Sequence, residues 1–404
     1  MPNTWREVPP TAGLPLVWRD LLPGDADLGA AVARFLQLPE TQIECSGTAA
    51  LVLALRALQQ DSKQRRKVIL PAYTCPLVAL AIAHCGLQPV LCDLRANSFD
   101  LDHDQLAQLC DTSTLAVIPT HLGGRIADLE PVLDITARTG ALVIEDAAQA
   151  LGGLIQGRPV GSIGDIGFWS LAVGKGLTLY EGGVLTARDT GMRQRLRQVS
   201  AECIPHNAAW ELKRCGELFA YWALYRPLSL RVAYGQPLRS ALRRDDPVAA
   251  VGDDFDAAIP LHRVSAWRRG VGVHALSRLA DFQQNLNAQA ARRKQQLAQI
   301  AGIQVLDDAP GTQGTWPFFM LLLPTIAVRD AALETLWTSG LGVSRLFIHA
   351  LPDYGYLTHL FETPAVPHAR DFAARMLTVS NSPWLDDAGF ARVFSALSAA
   401  VNRG

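Results

Sequence analysis

The sequence predicts an α/β protein: a large domain on a mainly parallel central sheet flanked by helices, then a smaller C-terminal α/β domain. Three observations carry this reading. Through the first half, short β-branched or aliphatic runs alternate with helical stretches, the pattern of crossover units. From about 200 to 258 that rhythm stops and no strand pattern is seen. Beyond 277 it resumes on a smaller scale. The expected division is therefore 1–262 for the large domain, carrying a helical insertion at about 200–258, and 263–404 for an interdomain helix and the small domain.

The expected strands, in order, are VILPAY (68–73), PVLCDL (89–94), LAVIPT (115–120), ALVIEDAA (141–148), DIGFWSL (165–171) and GGVLTAR (182–188). Between them, the segments 48–58, 75–85, 101–110 and 129–139 carry helical patterning, and Gly86 and Gly140 stand where two of these helices should end. Val68 to Cys92 contains no Asp, Glu, Lys or Arg, yet Pro71, Pro76, Gly86 and Pro89 divide it into strand, helix and strand rather than a membrane span. In the second half, 277–302 reads as a long helix with an exposed face. A strand (FFMLLL, 318–323), a helix near 328–339, a strand near GVSRLFI (342–348) and closing helices come after it.

Composition narrows the function classes. The 404 residues carry 37 Lys or Arg against 38 Asp or Glu, a net charge of −1, so bulk charge gives no reason to expect nucleic acid or an anionic membrane as a partner. Hydrophobic residues make up 49% and charged residues 19%, enough for a large interior. Seven cysteines lie in the first 215 residues without metal-type spacing, so reduced thiols and no metal are expected. The N-terminal MPNTWREVPPTAG lacks a signal-peptide layout, and a cytoplasmic location is the expectation.

In an open parallel sheet, ligands bind beyond the carboxyl ends of the strands. Three features stand there. Asp146 ends what should be a central buried strand, where a carboxylate needs a cationic partner or a helix to cap. Strand alternation puts Glu145 on the opposite face. Ser46-Gly47-Thr48 precedes a helical run, which suits either an ordinary N-cap or a phosphate on free N–H groups. Lys175 sits between two glycines after a strand, in an apolar approach that would lower its pKa and make it a nucleophile for a carbonyl. A Walker loop is excluded by glycine spacing and by Gly176 where Ser or Thr should bind magnesium. Together, a phosphate pocket, a buried carboxylate and a framed lysine form the set that pyridoxal 5'-phosphate requires.

The ordered series SGTAAL, VILPAYTCP, PVLCDL, IPTHLGG, VIEDAAQALGG, GSIGDIGFWS, GKGLT and EGGVL resembles the DegT/DnrJ/EryC1/StrS aminotransferases of fold-type I. The resemblance implies Lys175 as the cofactor-holding lysine and proton carrier, and Asp146 as partner of the pyridine nitrogen. Gln149 would lie near the phenolic oxygen, and Gly47, Thr48 and Ser170 would hold the phosphate. Tyr73 and Cys75 fall in the loop whose aromatic residue stacks on the ring in family members, with Cys75 at that residue's place. His121, His262, Arg263 and His349 are the substrate-side candidates, His121 having a purely structural role as its alternative. The family's Tyr-Asn-Tyr-Arg stretch is Pro260-Leu261-His262-Arg263 here. By the same resemblance, the chain would be an aminotransferase moving an amino group from an amino acid, glutamate by family analogy, to a keto sugar carried on a nucleotide or lipid. It would work as a homodimer with shared active sites. A sugar dehydratase on the same cofactor and a non-catalytic regulatory protein are the alternatives. The aromatic and arginine-rich stretch 217–244 fits either a dimer or domain cover or a weak contact with a membrane or lipid carrier.

Overall fold

The computed structural model describes residues 6–62, 64–362 and 365–403. The first five residues of the stretch read for targeting, and Gly404 at the end of the small domain, lie outside them.

Seven strands form the main sheet: β1 (Gln42–Glu44), β2 (Lys67–Pro71), β3 (Gln88–Cys92), β4 (Thr114–Val117), β5 (Leu142–Asp146), β6 (Ile166–Ser170) and β7 (Gly183–Ala187), in the order β1-β7-β6-β5-β4-β2-β3. From β3 to β6 neighbours run parallel, and β7 runs antiparallel to both β6 and β1. Helices cover both faces, which is why these strands read as unbroken apolar runs. They are α1 (Leu28–Phe35), α2 (Gly47–Asp61), α3 (Pro76–His84), α4 (His103–Leu109), α5 (Glu130–Thr139) and α6 (Thr190–Cys203). Pro76 starts α3 where a missing N–H costs nothing, and Gly140, at φ 71°, closes α5 in the left-handed region.

The insertion is helical: α7 (Ala208–Leu224), α8 (Pro227–Leu230), a π-helical turn at Arg231–Gly235, α9 (Gln236–Arg243) and α10 (Pro247–Val251). Beyond it, α11 (Ala266–Leu276) precedes α12 (Leu279–Leu297), so the long helix expected at 277–302 is shorter than its span and has a partner before it.

The small domain has a four-stranded antiparallel sheet, β8 (Gln304–Val305), β9 (Phe318–Leu322), β10 (Val343–Ser344) and β11 (Met376–Ser380), in the order β8-β9-β11-β10. Around it lie α13 (Ile326–Leu336), α14 (Pro367–Arg375) and α15 (Asp387–Arg403). Two expectations are corrected here. The closing segment is not all helix, because Leu377 and Val379 are buried in the small domain's core while the backbone of β11 pairs with two strands far away in sequence. The strand near GVSRLFI is only two residues long. A ribbon formed by 154–155, 158–159 and 312–313 was also not anticipated, its strands being too short to show a period. Val8, near the N-terminus, packs in the small domain's core. No helix among the described residues is long and apolar enough to cross a membrane.

Candidate active site

The parallel ladder ends where the site begins. Strand β2 runs into Ala72–Cys75, β4 into Pro119–His121, β5 into Asp146 and β6 into the 171–182 loop, so four strand ends converge beside the start of α2. The observed strands stop short of the segments read from the sequence for this reason.

Lys175 is half-buried and has its pKa lowered, chiefly by desolvation, against the opposing pull of Cys75 and Asp146 nearby. Its loop is held from several sides. The Leu14 N–H donates to the Gly176 carbonyl at 2.8 Å, and Leu179 N–H to the Leu171 carbonyl at 2.9 Å. Gly174 and Gly176 have φ of 79° and 85°, and a Cβ on Gly174 would lie 2.1 Å from Thr11 Oγ1. Only glycine fits there. Buried Arg268 donates to the carbonyls of Leu179 and Glu181 and forms a two-pronged pair with Glu211, at 2.8 and 2.6 Å.

Asp146 is buried, and burial raises its pKa. The Ala148 N–H (3.0 Å), Lys175, His121 and the Thr120 hydroxyl pull it back down. Its neighbour Glu145, on the other face, accepts from the N–H groups of Gly161, Ile163 and Gly164 at 2.5–2.6 Å and from His121 Nε2 at 3.1 Å. His121 Nδ1 accepts from the Ala127 N–H at 3.1 Å, so the proton on this ring is assigned to Nε2. Both nitrogens are engaged and the ring is wholly buried. His121 therefore braces the strand end, which is its structural alternative, and the geometry does not present it to a substrate.

At the other end, Ser46 caps α2 by accepting from Ala49 N–H at 2.9 Å. Gly47 and Thr48 open that helix, and a Cβ on Gly47 would sit 3.1 Å from Ser170 Cβ. The helix start and Ser170 thus meet in one cradle with free N–H groups suited to an anion. Gln149 accepts from the Gly123 N–H at 2.7 Å, which orients its amide.

Tyr73 is corrected. Its hydroxyl donates to the Phe347 carbonyl (3.0 Å) and accepts from the Phe347 N–H (3.1 Å), and its ring packs on Phe347 and Phe372. The ring faces the small domain, leaving Cys75, the N-cap of α3, as the loop residue beside Lys175. Tyr73→Phe is expected to cost about 1–3 kcal/mol of stability through the orphaned Phe347 groups, without moving the absorption spectrum of the cofactor-loaded protein. Urea unfolding and that spectrum check both halves.

His262 and Arg263 lie elsewhere, on a cavity of about 1020 Å³ also lined by Glu44, Ser200, Arg197 and Arg269, which neither Lys175 nor Asp146 lines. His262 is buried, its Nδ1 3.1 Å from Glu211, and its Nε2 has no partner among the described residues. Segment 260–263 still approaches the phosphate cradle, since Cys45 Sγ is 3.6 Å from the Pro260 carbonyl.

His349 belongs to a cluster that the sequence did not signal. Asp253, just past α10, accepts from the Ile348 N–H at 2.8 Å and the Tyr354 hydroxyl at 2.6 Å, and its own carbonyl accepts from the Tyr356 hydroxyl. His349 packs edge-on against Tyr354 at 5.2 Å, its pKa lowered by burial and by Arg345. Burial pushes Asp253 up to about 6 from 3.8, despite Tyr354, Ile348 and Arg345. A raised folded-state pKa means that the native state binds the proton more tightly, so this stabilisation is full below about pH 4 and is lost as pH rises through about 6. From about pH 4 to 7, wild-type stability is expected to fall by about 2–3 kcal/mol relative to Asp253→Asn. Denaturant titrations of both proteins across that range measure it, and a constant difference would refute it.

A sequence profile described as the DegT/DnrJ/EryC1/StrS aminotransferase family matches residues 23–218 and 262–398. GDP-perosamine synthase of Caulobacter vibrioides is 36% identical over 170 residues, 42% of this chain and 45% of that enzyme, so that alignment spans under half of the relative. The dTDP-4-dehydro-2,3,6-trideoxy-D-glucose 4-aminotransferase of Saccharopolyspora spinosa is 25% identical over 389 residues, 95% of this chain and 91% of the relative. Among solved structures, Spr1654 from Streptococcus pneumoniae in its PLP form superposes with a TM-score of 0.77 at 19% identity, covering 98% of this chain and 99% of the other. PseC from Helicobacter pylori, an aminotransferase involved in the biosynthesis of pseudoaminic acid, gives 0.76 at 14% identity over 99% and 100%. At such identities these likenesses speak for the fold.

Proposed function

The chain belongs to the DegT/DnrJ/EryC1/StrS aminotransferase family, and from that premise we propose that it transfers an amino group from an amino acid, glutamate in the first instance, to a keto sugar carried on a nucleotide or lipid. The observation that carries the reading is the conjunction of Lys175, Asp146 and the Gly47–Ser170 cradle at one set of strand ends.

The residues fit pyridoxal 5'-phosphate. A buried carboxylate lifted by desolvation calls for a cation, a lysine with a lowered pKa is ready to meet a carbonyl, and a cradle that a Cβ would crowd leaves backbone N–H groups for a phosphate. Gly47, Thr48 and Ser170 would hold the phosphate, Asp146 the ring nitrogen, Gln149 the phenolic oxygen, and Lys175 the aldehyde carbon. When bound, the cofactor supplies an electron sink for charge that develops at the substrate carbon.

The chain's own part is to position groups and move protons. Lys175 Nζ, partly desolvated on a glycine-framed loop, takes a proton from one carbon and returns it to another in each half of the cycle. Asp146 stays ionised once a cationic N–H faces it, and so holds a proton there. Glu145 and His121 keep the Asp146 backbone in register from below, with His121 N–H donating to the Asp146 carbonyl at 2.9 Å.

We infer further that the protein works as a homodimer associating through the face that carries 260–263. The approach of this segment to the phosphate cradle, with Cys45 Sγ 3.6 Å from the Pro260 carbonyl, supports this reading. Light scattering that returned a single-chain mass at assay concentration would remove it.

The functional test is spectroscopic. Protein supplied with pyridoxal phosphate should show a visible absorption band, and glutamate should convert that band to one characteristic of the aminated cofactor. A band that glutamate leaves untouched would exclude glutamate as donor, and no band at all would overturn the assignment.

A further inference from the structure

Tyr180 is an aromatic residue held in the left-handed region, at φ 68°. That conformation crowds the Cβ of any residue but glycine, so it persists only where the surroundings impose it. Nη1 of Arg268, wholly buried, donates to the carbonyls on both sides of Tyr180, those of Leu179 (3.1 Å) and Glu181. The Tyr180 N–H donates to the Thr178 hydroxyl at 2.9 Å. Arg268 is in turn fixed by Glu211, which also accepts from the Ser265 N–H at 2.8 Å. Arg214 pairs with Glu181, and its guanidinium lies 6.0 Å from the centre of the Tyr180 ring.

Glu211 and Arg214 stand three residues apart on α7, and so on one face of it. The helix therefore reaches the loop at 171–182 twice, and both contacts end on the residues that flank the strained one. Lys175 lies five residues earlier in the same loop. Its amine has to meet a carbonyl carbon in one place, and a misplacement of about 1 Å there can cost on the order of 100-fold in rate. We propose that Glu211 and Arg214, acting through Arg268 and Glu181, are positioning residues for Lys175: they hold its loop in a turn that Tyr180 by itself would leave. The inference rests on Lys175 being the reactive amine of the proposed function.

Glu211→Gln weakens the clamp, and the population of the productive turn should fall by about 5–30-fold, the factor that the left-handed strain of one residue supplies. Two readings on the full chain follow it. One is the rate at which glutamate converts the visible band of the cofactor-loaded protein. The other, with the cofactor removed, is the midpoint against pH of Lys175 acetylation by acetic anhydride, read by mass spectrometry. The rate should drop by that factor. The midpoint should rise, because a displaced amine regains water, and desolvation outweighs Cys75 and Asp146 in setting it. Adding Tyr180→Gly, for which the same turn costs nothing, should return both readings to near wild type while the thermal midpoint stays low. A clamp that merely stabilised the fold would show no such recovery. Arg214→Gln leaves the Glu211–Arg268 pair in place, so it should give the same order at smaller size and decides the matter if Glu211→Gln does not fold. Wild-type rate and midpoint in the clamp variants, or no recovery with Tyr180→Gly, overturns the proposal. A wild-type protein without a visible band would count against the proposed function alone, since the acetylation midpoint reads the clamp without the cofactor.

Discussion

Replacing Lys175 with alanine is expected to lower amino transfer by about 10⁴-fold or more, because the same nitrogen serves both as the cofactor's attachment point and as the carrier of its protons. Stability should change by no more than about 0.5 kcal/mol. The loop is held by backbone bonds from Leu14 and Leu171 and by Arg268, none of which uses the lysine side chain. Parallel rate and thermal-midpoint measurements separate the effects. More than a percent of wild-type rate in the variant would mean that another group moves the proton, and a collapsed midpoint would mean that the lysine is structural.

Glu145→Ala should do the reverse and act first on the fold, at about 3–5 kcal/mol. Its carboxylate gathers four donors in a buried space, and its removal orphans the N–H groups of Gly161, Ile163 and Gly164 together with His121 Nε2. The turn is also tightly packed, since Gly161 and Gly167 cross so closely that a Cβ on Gly167 would lie 1.9 Å from the Gly161 carbonyl. Glu145→Gln retains the shape but turns an NH₂ toward N–H donors, so it should fall between wild type and alanine. Urea unfolding of the three proteins orders them. A glutamine variant as stable as wild type would show that the second carboxylate oxygen is dispensable.

Glu145 also shows where the sequence was legible and where it was not. Alternation along LVIED correctly separates Glu145 from Asp146, but only the fold shows that the glycine-bearing turn at 161–164 supplies the donors. Lys175 was readable because its glycines are adjacent to it, and their positive φ is a local property. The strands of the large domain were readable because burial on both faces makes them continuously apolar. Tyr73 was misplaced because its partners, Phe347 and Phe372, lie in the other domain and nothing near residue 73 announces them. Asp253 was invisible for the same reason, its ligands lying 95 and 101 residues away. The strand at 376–380 was hidden by the helical stretches on either side, since its register is set by β9 and β10.

The insertion is tied at both ends. Glu211 is clamped by Arg268 before it has gone far, and Asp253 is gripped by Tyr354 and Ile348 as it returns. Between two fixed points a chain behaves as a closed loop, and doubling its length adds only about 0.6 kcal/mol of closure entropy. It is also tied midway, where the Tyr225 hydroxyl donates to the Thr11 carbonyl and accepts from the Gly13 N–H, one residue before the Leu14 that holds the Lys175 loop. Length can therefore be exchanged in the turns between these ties, while the tie at Tyr225 has to be kept for the Lys175 loop to stay as it is.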